Sequence, residues 1–171
     1  MTAHNLPIHN SIRILLINQH KQILLICADD PSTKIHGQKY KGKFWFTVGG
    51  KIEEGEDVAA TVIREIYEET GLSAEAITLG PIVWYGEFDL ELSGVLQRLK
   101  QRFMVVHTNQ TKLTIANLTA AEKKVIKELR WFSLDEIKNC QDMIYPSKLA
   151  EYLPEILQGN YPSSPIKRDL L

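Results

Sequence analysis

The fold of this chain turns on nine residues, Arg64-Glu65-Ile66-Tyr67-Glu68-Glu69-Thr70-Gly71-Leu72. Placed on a helix at about 100° per residue, Glu65, Glu68 and Glu69 fall within about 100° of arc. Like charges three and four residues apart repel each other. The last turns of a helix also favour cations over anions. Only Arg64, four residues before Glu68, offers local compensation. Local rules broken together mark functional sites, and a hard divalent cation with oxygen ligands would relieve all three acids at once. A solvated acidic face is the plain alternative for any run of charge.

The residues upstream favour the functional reading. Phe44-Trp45-Phe46-Thr47-Val48 is an aromatic and β-branched run that predicts a strand. It enters Gly49-Gly50, then Lys51-Ile52-Glu53-Glu54-Gly55-Glu56, and a helix is expected from about Asp57. Glycines let backbone approach a ligand closely. From Lys51 to Glu69 there are seven acids (Glu53, Glu54, Glu56, Asp57, Glu65, Glu68, Glu69) against two bases (Lys51, Arg64), a local net charge of −5, while the whole chain carries only −1. On the same helix Ala59, Val62, Ile63, Ile66 and Thr70 form one stripe that can pack on a sheet, leaving the adjoining edge to the carboxylates. Gly71 stands where a left-handed C-terminal cap belongs.

From Gly50 to Leu72 the chain reads Gly, five residues, Glu56, seven residues, then Arg64-Glu65-Ile66-x-Glu68-Glu69-x-Gly71-Leu72. This spacing resembles the Nudix box of the Nudix hydrolase family at every defining position. The resemblance covers those residues strongly and the rest of the chain only in size and order of elements. It implies an α+β fold, a Nudix-like α/β/α sandwich with a mixed central β-sheet. It further implies hydrolysis of the pyrophosphate bond in a nucleoside diphosphate linked to another group X, with Mg²⁺ or Mn²⁺ as cofactor. Carried over by position, Glu65, Glu68 and Glu69 would be metal ligands, the carbonyl of Gly49 a further ligand, and Glu65 the group that activates water. Glu56 and Arg64 would hold loop and helix in register through a charged hydrogen bond. One more acid from a later segment often completes such sites; Glu87, Glu91, Glu122 and Glu128 qualify by type, and Glu122 is preferred. Homodimers are common in proteins of this kind.

Physical chemistry agrees with those roles. A carboxylate cage repels a pyrophosphate, so metal ions must bridge the two, lower the pKa of bound water and offset charge on the leaving phosphate. Mg²⁺ keeps several waters and takes few carboxylates, which suits a three-glutamate cluster.

Outside the box the signals thin. Lys41, Lys43 and Lys51 are candidates to meet substrate phosphates by electrostatic steering, although a solvated loop is the plain reading of the Lys34-to-Lys43 segment. Trp45, Trp84, Tyr85 and Phe88 could include a base-stacking ring, but aromatics at strand spacing are more often core. The extra markers of ADP-ribose, diadenosine polyphosphate and NADH pyrophosphatases are absent. That leaves an oxidised or other nucleoside triphosphate, or a nucleotide-sugar, as the small-molecule substrate. A non-catalytic nucleotide sensor on the same fold is the alternative, disfavoured because all the box acids are present. Nucleic acid is not expected, since a basic groove would be needed and the sequence pI is about 6.5.

A length of 171 residues suits a single domain, with the tail from residue 159 to 171 irregular. The longest apolar run, Ile14-Leu15-Leu16-Ile17, is far too short to span a bilayer. No secretory leader pattern opens the chain, and the two cysteines, Cys27 and Cys140, are expected as free thiols. A cytoplasmic protein with no membrane partner is expected. Residues 12–18 and 22–28 predict a hairpin, residues 77–91 and 95–108 two longer strands, and residues 125–132 a strand ending at Phe132. Ser133 should cap a short helix with Glu136. Leu149, Leu153 and Ile156 suggest a last helix from Ser147 that contains Pro154.

Overall fold

The computed structural model describes residues 5–30, 34–35, 38–39, 43–92 and 94–171. In chain order the elements are β1 (Ile8–Asn18), β2 (Ile23–Ala28), two short strands β3 (Lys34–Ile35) and β4 (Gln38–Lys39), and β5 (Phe44–Lys51). Helix α1 (Val58–Thr70) follows, then a single 3₁₀ turn at Ala74–Ala76 and the long strands β6 (Ile77–Leu92) and β7 (Val95–Thr108). The C-terminal part holds α2 (Ala120–Val125), β8 (Ile126–Phe132), α3 (Leu134–Asn139), β9 (Met143–Tyr145), α4 (Leu149–Leu157) and β10 (Ile166–Lys167).

Strand periodicity divides the apolar residues between two cores. On one face Leu15, Leu25, Trp45, Trp84 and Phe103 pack beneath Leu149, Leu153 and Ile156 of α4. On the other, Ile12, Ile14, Leu24 and Val48 pack beneath Val62 and Ile66 of α1. The sheet is mixed: β1 runs parallel to β7, β5 to β9 and β6 to β10, while the other pairings are antiparallel. Helices on both faces of a mixed sheet make the expected α+β sandwich.

Three strands create the opening in this sheet. β1 is antiparallel to β2, β2 to β5, and β1 to β5. Three mutually antiparallel neighbours cannot lie flat in one layer. β1 therefore pairs with β2 at Ile17 and Ile23, and meets β5 from Ser11 to Ile14. A wedge opens between β1, β6 and β7 on one side and β5 and β9 on the other, lined by Arg13, Phe88 and Phe103 from the first group and Phe44, Phe46 and Tyr145 from the second.

One expectation needs correction. The tail is not irregular throughout: β10 pairs in parallel with β6, and Leu170 is only 3% exposed. Two prolines and a serine pair concealed a strand that is held by a distant partner. The segment before β8 also holds a helix, α2, capped reciprocally by Thr119 and Glu122. Thr119 followed by Glu122 three residues on is the sequence form of that cap. The predicted Ser133 cap forms, accepting from the Glu136 amide at 3.2 Å. Both cysteines are free, with Cys27 buried opposite Trp45. No helix among the described residues is long and apolar enough to cross a membrane.

Candidate active site

Helix α1 begins where its cap dictates: the Asp57 side chain accepts from the Ala60 amide at 2.8 Å. It ends at Gly71, whose φ of 78° is left-handed. Between these ends Val62 and Ile66 are fully buried, which fixes the helix's rotation. That rotation turns Glu65 and Glu69 inward, to 8% and 7% exposure.

The two glycines of β5 make room for them. Gly50 faces Glu65 so closely that a Cβ there would overlap the carboxylate. Gly49 has a φ of +140°, and a Cβ on it would strike the carbonyl of Ile12. The Gly49 amide points at Glu69 Oε2 from 3.5 Å. Burial first, and Glu65 beside it second, push the Glu69 carboxyl well above the usual carboxylate range, against the opposing pull of Arg13.

Arg64 organises the opposite rim. Its Nε and Nη2 donate to the two oxygens of Glu56 at 2.8 Å each, Nη1 donates to Glu65 at 2.9 Å and to Glu68 at 3.3 Å, and Nη2 reaches the Lys51 carbonyl at 3.1 Å. The Arg64 guanidinium, with help from the Glu53 amide, holds the Glu56 carboxyl down to about 2. Glu68 is more exposed than Glu56 or Glu65, its side chain 42% accessible. Among the described residues no three acidic, histidine or cysteine side chains already converge as a ready metal cage.

Arg13 was not anticipated. It donates from Nε to Thr47 Oγ1 at 3.3 Å and from Nη2 to the Thr47 carbonyl, and its guanidinium lies over the Phe46 ring at 5.6 Å. Burial lowers its pKa, while Glu69 and Glu65 raise it. A lone cation in the apolar run from Ile12 to Ile17 was the available signal.

The other candidates scatter. Glu122 shares a cavity of about 220 Å³ with Gly49, Phe46 and Glu69, though its carboxylate also accepts from the Thr119 amide at 3.0 Å. Glu87 and Glu128 are exposed on β6 and β8. The side chains of Lys43 and Lys51 are exposed, and what Lys51 gives the site is its carbonyl, taken by Arg64. Lys41 lies outside the described residues. Trp45 and Trp84 are core residues, at 2% and 1% exposure, whereas Phe88 lines the wedge.

A sheet opened at one strand junction, with a glycine pair facing buried acids on the following helix, is the arrangement of a phosphate-handling α/β/α sandwich. The model of the NUDIX domain matches residues 7–154, so the chain belongs to the Nudix family. The m7GpppN-mRNA hydrolase dcap-2 of Caenorhabditis elegans is 27% identical over 139 residues, covering 76% of this chain but only 14% of its own length. Among solved structures, the MutT protein of Methanosarcina mazei aligns with a TM-score of 0.63 at 19% identity, over 92% of this chain and 99% of that one. An Ap4A hydrolase of C. elegans aligns with a TM-score of 0.59 at 18% identity, over 88% and 98%.

Proposed function

We propose that this protein hydrolyses the pyrophosphate bond of a nucleoside diphosphate joined to a further group, with Mg²⁺ or Mn²⁺ held by Glu65, Glu68, Glu69 and the Gly49 carbonyl. The observation that carries this reading is the buried pair of acids. Glu65 and Glu69 are withdrawn from water side by side, with a raised pKa on Glu69, and Arg13 and Arg64 offset them. Two buried carboxylates are costly unless a cation joins them, and hard oxygen donors fit a hard divalent ion. Glu68, held at 3.3 Å by Arg64, would exchange that contact to take part.

A bound cation would supply water of lowered pKa and offset charge on the phosphates. The protein's residues do the rest. Glu65, fixed by Arg64 at 2.9 Å, accepts the proton of the attacking water. The water oxygen bonds to phosphorus, one anhydride P–O bond breaks, and the leaving phosphate carries away the electron pair. Arg13 stands between the acids and the wedge, placed to meet a phosphate oxygen. The wedge, a cavity of about 130 Å³ walled mainly by apolar side chains, several of them aromatic, is suited to the nucleoside's base, since an apolar cavity of roughly 150 Å³ holds one aromatic ring. A triphosphate or a nucleotide-sugar meets these demands, in the cytoplasm.

The test is a screen of purified protein against nucleoside triphosphates, nucleotide-sugars and dinucleoside polyphosphates, with Mg²⁺, with Mn²⁺ and with a chelator. Turnover that needs the metal supports the proposal. Binding without turnover would instead support a nucleotide sensor.

A further inference from the structure

The C-terminal strap ends in the wedge. β10 adds in parallel to β6 through Ile166 and Lys167, and the Arg168 amide donates to the Tyr85 carbonyl at 2.8 Å. The strap is then pinned from its other side. Tyr152 of α4 donates to the Asp169 carbonyl at 3.2 Å, and Lys148 lies 3.4 Å from the Asp169 carboxylate. The Arg168 guanidinium stacks 4.3 Å from the Tyr152 ring. These contacts from two sides leave Leu170 one place to go. It is 3% exposed, and it forms part of the wedge wall with Phe88 and Phe103.

β6 is adapted to this course. A Cβ on Gly86 would lie 2.6 Å from the Arg168 carbonyl and 2.8 Å from Leu170 Cγ. Gly86 therefore keeps a gap into which the strap fits. A strap serving only to cover Trp84 would not need a side chain in the cavity. Gln101, also on the wall, has a half-buried carboxamide with no hydrogen-bond partner among the described residues. The wedge thus offers one apolar wall from the strap and one polar edge from β7.

We propose that residues 166–171 are a working part of the substrate pocket, and that Leu170 sets the size of the ring the wedge admits. This rests on reading the wedge as the nucleoside's site. Leu170 does not touch the reacting phosphates. It positions the base, and so discriminates substrates through KM rather than through kcat.

The test compares Leu170→Phe, Leu170→Ala and Leu170→Met, with folding checked by thermal melting. Purine and pyrimidine substrates of the same type are assayed with Mg²⁺. Leu170→Phe narrows the wedge and should raise KM for the purine substrate about tenfold relative to the pyrimidine. Leu170→Ala should move the ratio the other way, and kcat should stay within about twofold. Leu170→Met, close in volume, should give a purine-to-pyrimidine KM ratio between those of Leu170→Phe and Leu170→Ala. Gly86→Ala displaces the strap while leaving Leu170 in the chain, so it should also shift the ratio even if a Leu170 variant fails to fold. An unchanged purine-to-pyrimidine KM ratio in the folded variants overturns the proposal. If the wild type cleaves nothing, the hydrolase reading fails by itself. The strap is then judged by the same ratio in the dissociation constants of ADP and CDP, and an unchanged ratio there overturns it.

Discussion

Arg64 and Glu56 are joined by two bonds of 2.8 Å, Nε to Oε2 and Nη2 to Oε1, which tie the loop to the helix that follows it. The clamp holds the Glu56 carboxyl at about 2, below its ordinary 4.5. A carboxyl depressed by folding contributes stability above its unfolded pKa and loses it as pH falls to the folded value. The clamp's contribution is thus whole above about pH 4.5 and disappears between there and about pH 2. Melting temperature followed against pH should fall more steeply across that window in the wild type than in Glu56→Gln. Parallel curves would mean that the clamp adds nothing to stability.

Glu69 presents the opposite case. Burial and the neighbouring Glu65 push its carboxyl up, so folding disfavours the ionised form. A group of this kind adds stability while protonated and loses it as pH rises through its folded pKa. At neutral pH Glu69→Gln, neutral and equal in shape, should therefore melt at the same temperature or higher in chelator. Mg²⁺-dependent turnover should fall on the order of 100-fold or more, and the stabilisation given by added Mg²⁺ should vanish. Steady-state kinetics and thermal melts with and without Mg²⁺ check this. A variant that still turns over and is still stabilised by Mg²⁺ removes Glu69 from the ion's site.

These two acids also mark what could be read without coordinates. The helix was legible because its signals are local: the acid spacing, the stripe from Ala59 to Thr70, and Gly71 as its stop. The bounds of β7, Val95–Thr108, were legible for the same reason, since apolar and β-branched runs end at turn residues. The partners were not. β1 forms the expected hairpin with β2 at Ile17 and Ile23, but its eleven residues also pair in parallel with β7, some ninety positions away. Nothing local encodes such a pairing, which places β1 and β7 together on one side of the wedge. The strap was hidden likewise, because Leu170 is buried against residues far away in the chain, among them Gly86. Arg13 was hidden by its setting, as one cation in an apolar strand reads as a surface charge until its partners are known.

Arg13 is coupled electrostatically to both buried acids, to Glu69 more than to Glu65, and the cost of its loss should depend on metal. Arg13→Met leaves Glu65 and Glu69 without it and breaks both contacts to Thr47. Removing one partner of a buried charge group costs roughly 3 kcal/mol. That loss should appear in full in chelator, and Mg²⁺ should restore much of it by supplying positive charge to the same acids. Denaturant unfolding in both conditions measures the difference. An equal loss with and without Mg²⁺ would confine Arg13 to its bonds with Thr47.

Adjacent glycines should separate stability from activity. At Gly49 a φ of +140° and the Ile12 carbonyl in the path of a Cβ leave alanine no accommodation, because both obstacles are backbone. Gly49→Ala should cost about 2 kcal/mol or more in unfolding free energy. At Gly50 the obstacle is the Glu65 carboxylate, the free end of a side chain that can move aside. Gly50→Ala should therefore change stability little, within about 1 kcal/mol, while displacing Glu65 and lowering kcat by roughly 10- to 100-fold. Chemical denaturation and steady-state kinetics on the pair distinguish the two effects. The contrast follows from what each Cβ meets: one is stopped by the strand that shapes the sheet, the other by the carboxylate proposed to receive a proton from water. If Gly50→Ala kept full turnover, Glu65 would not need its present position, and its role as the base would fall.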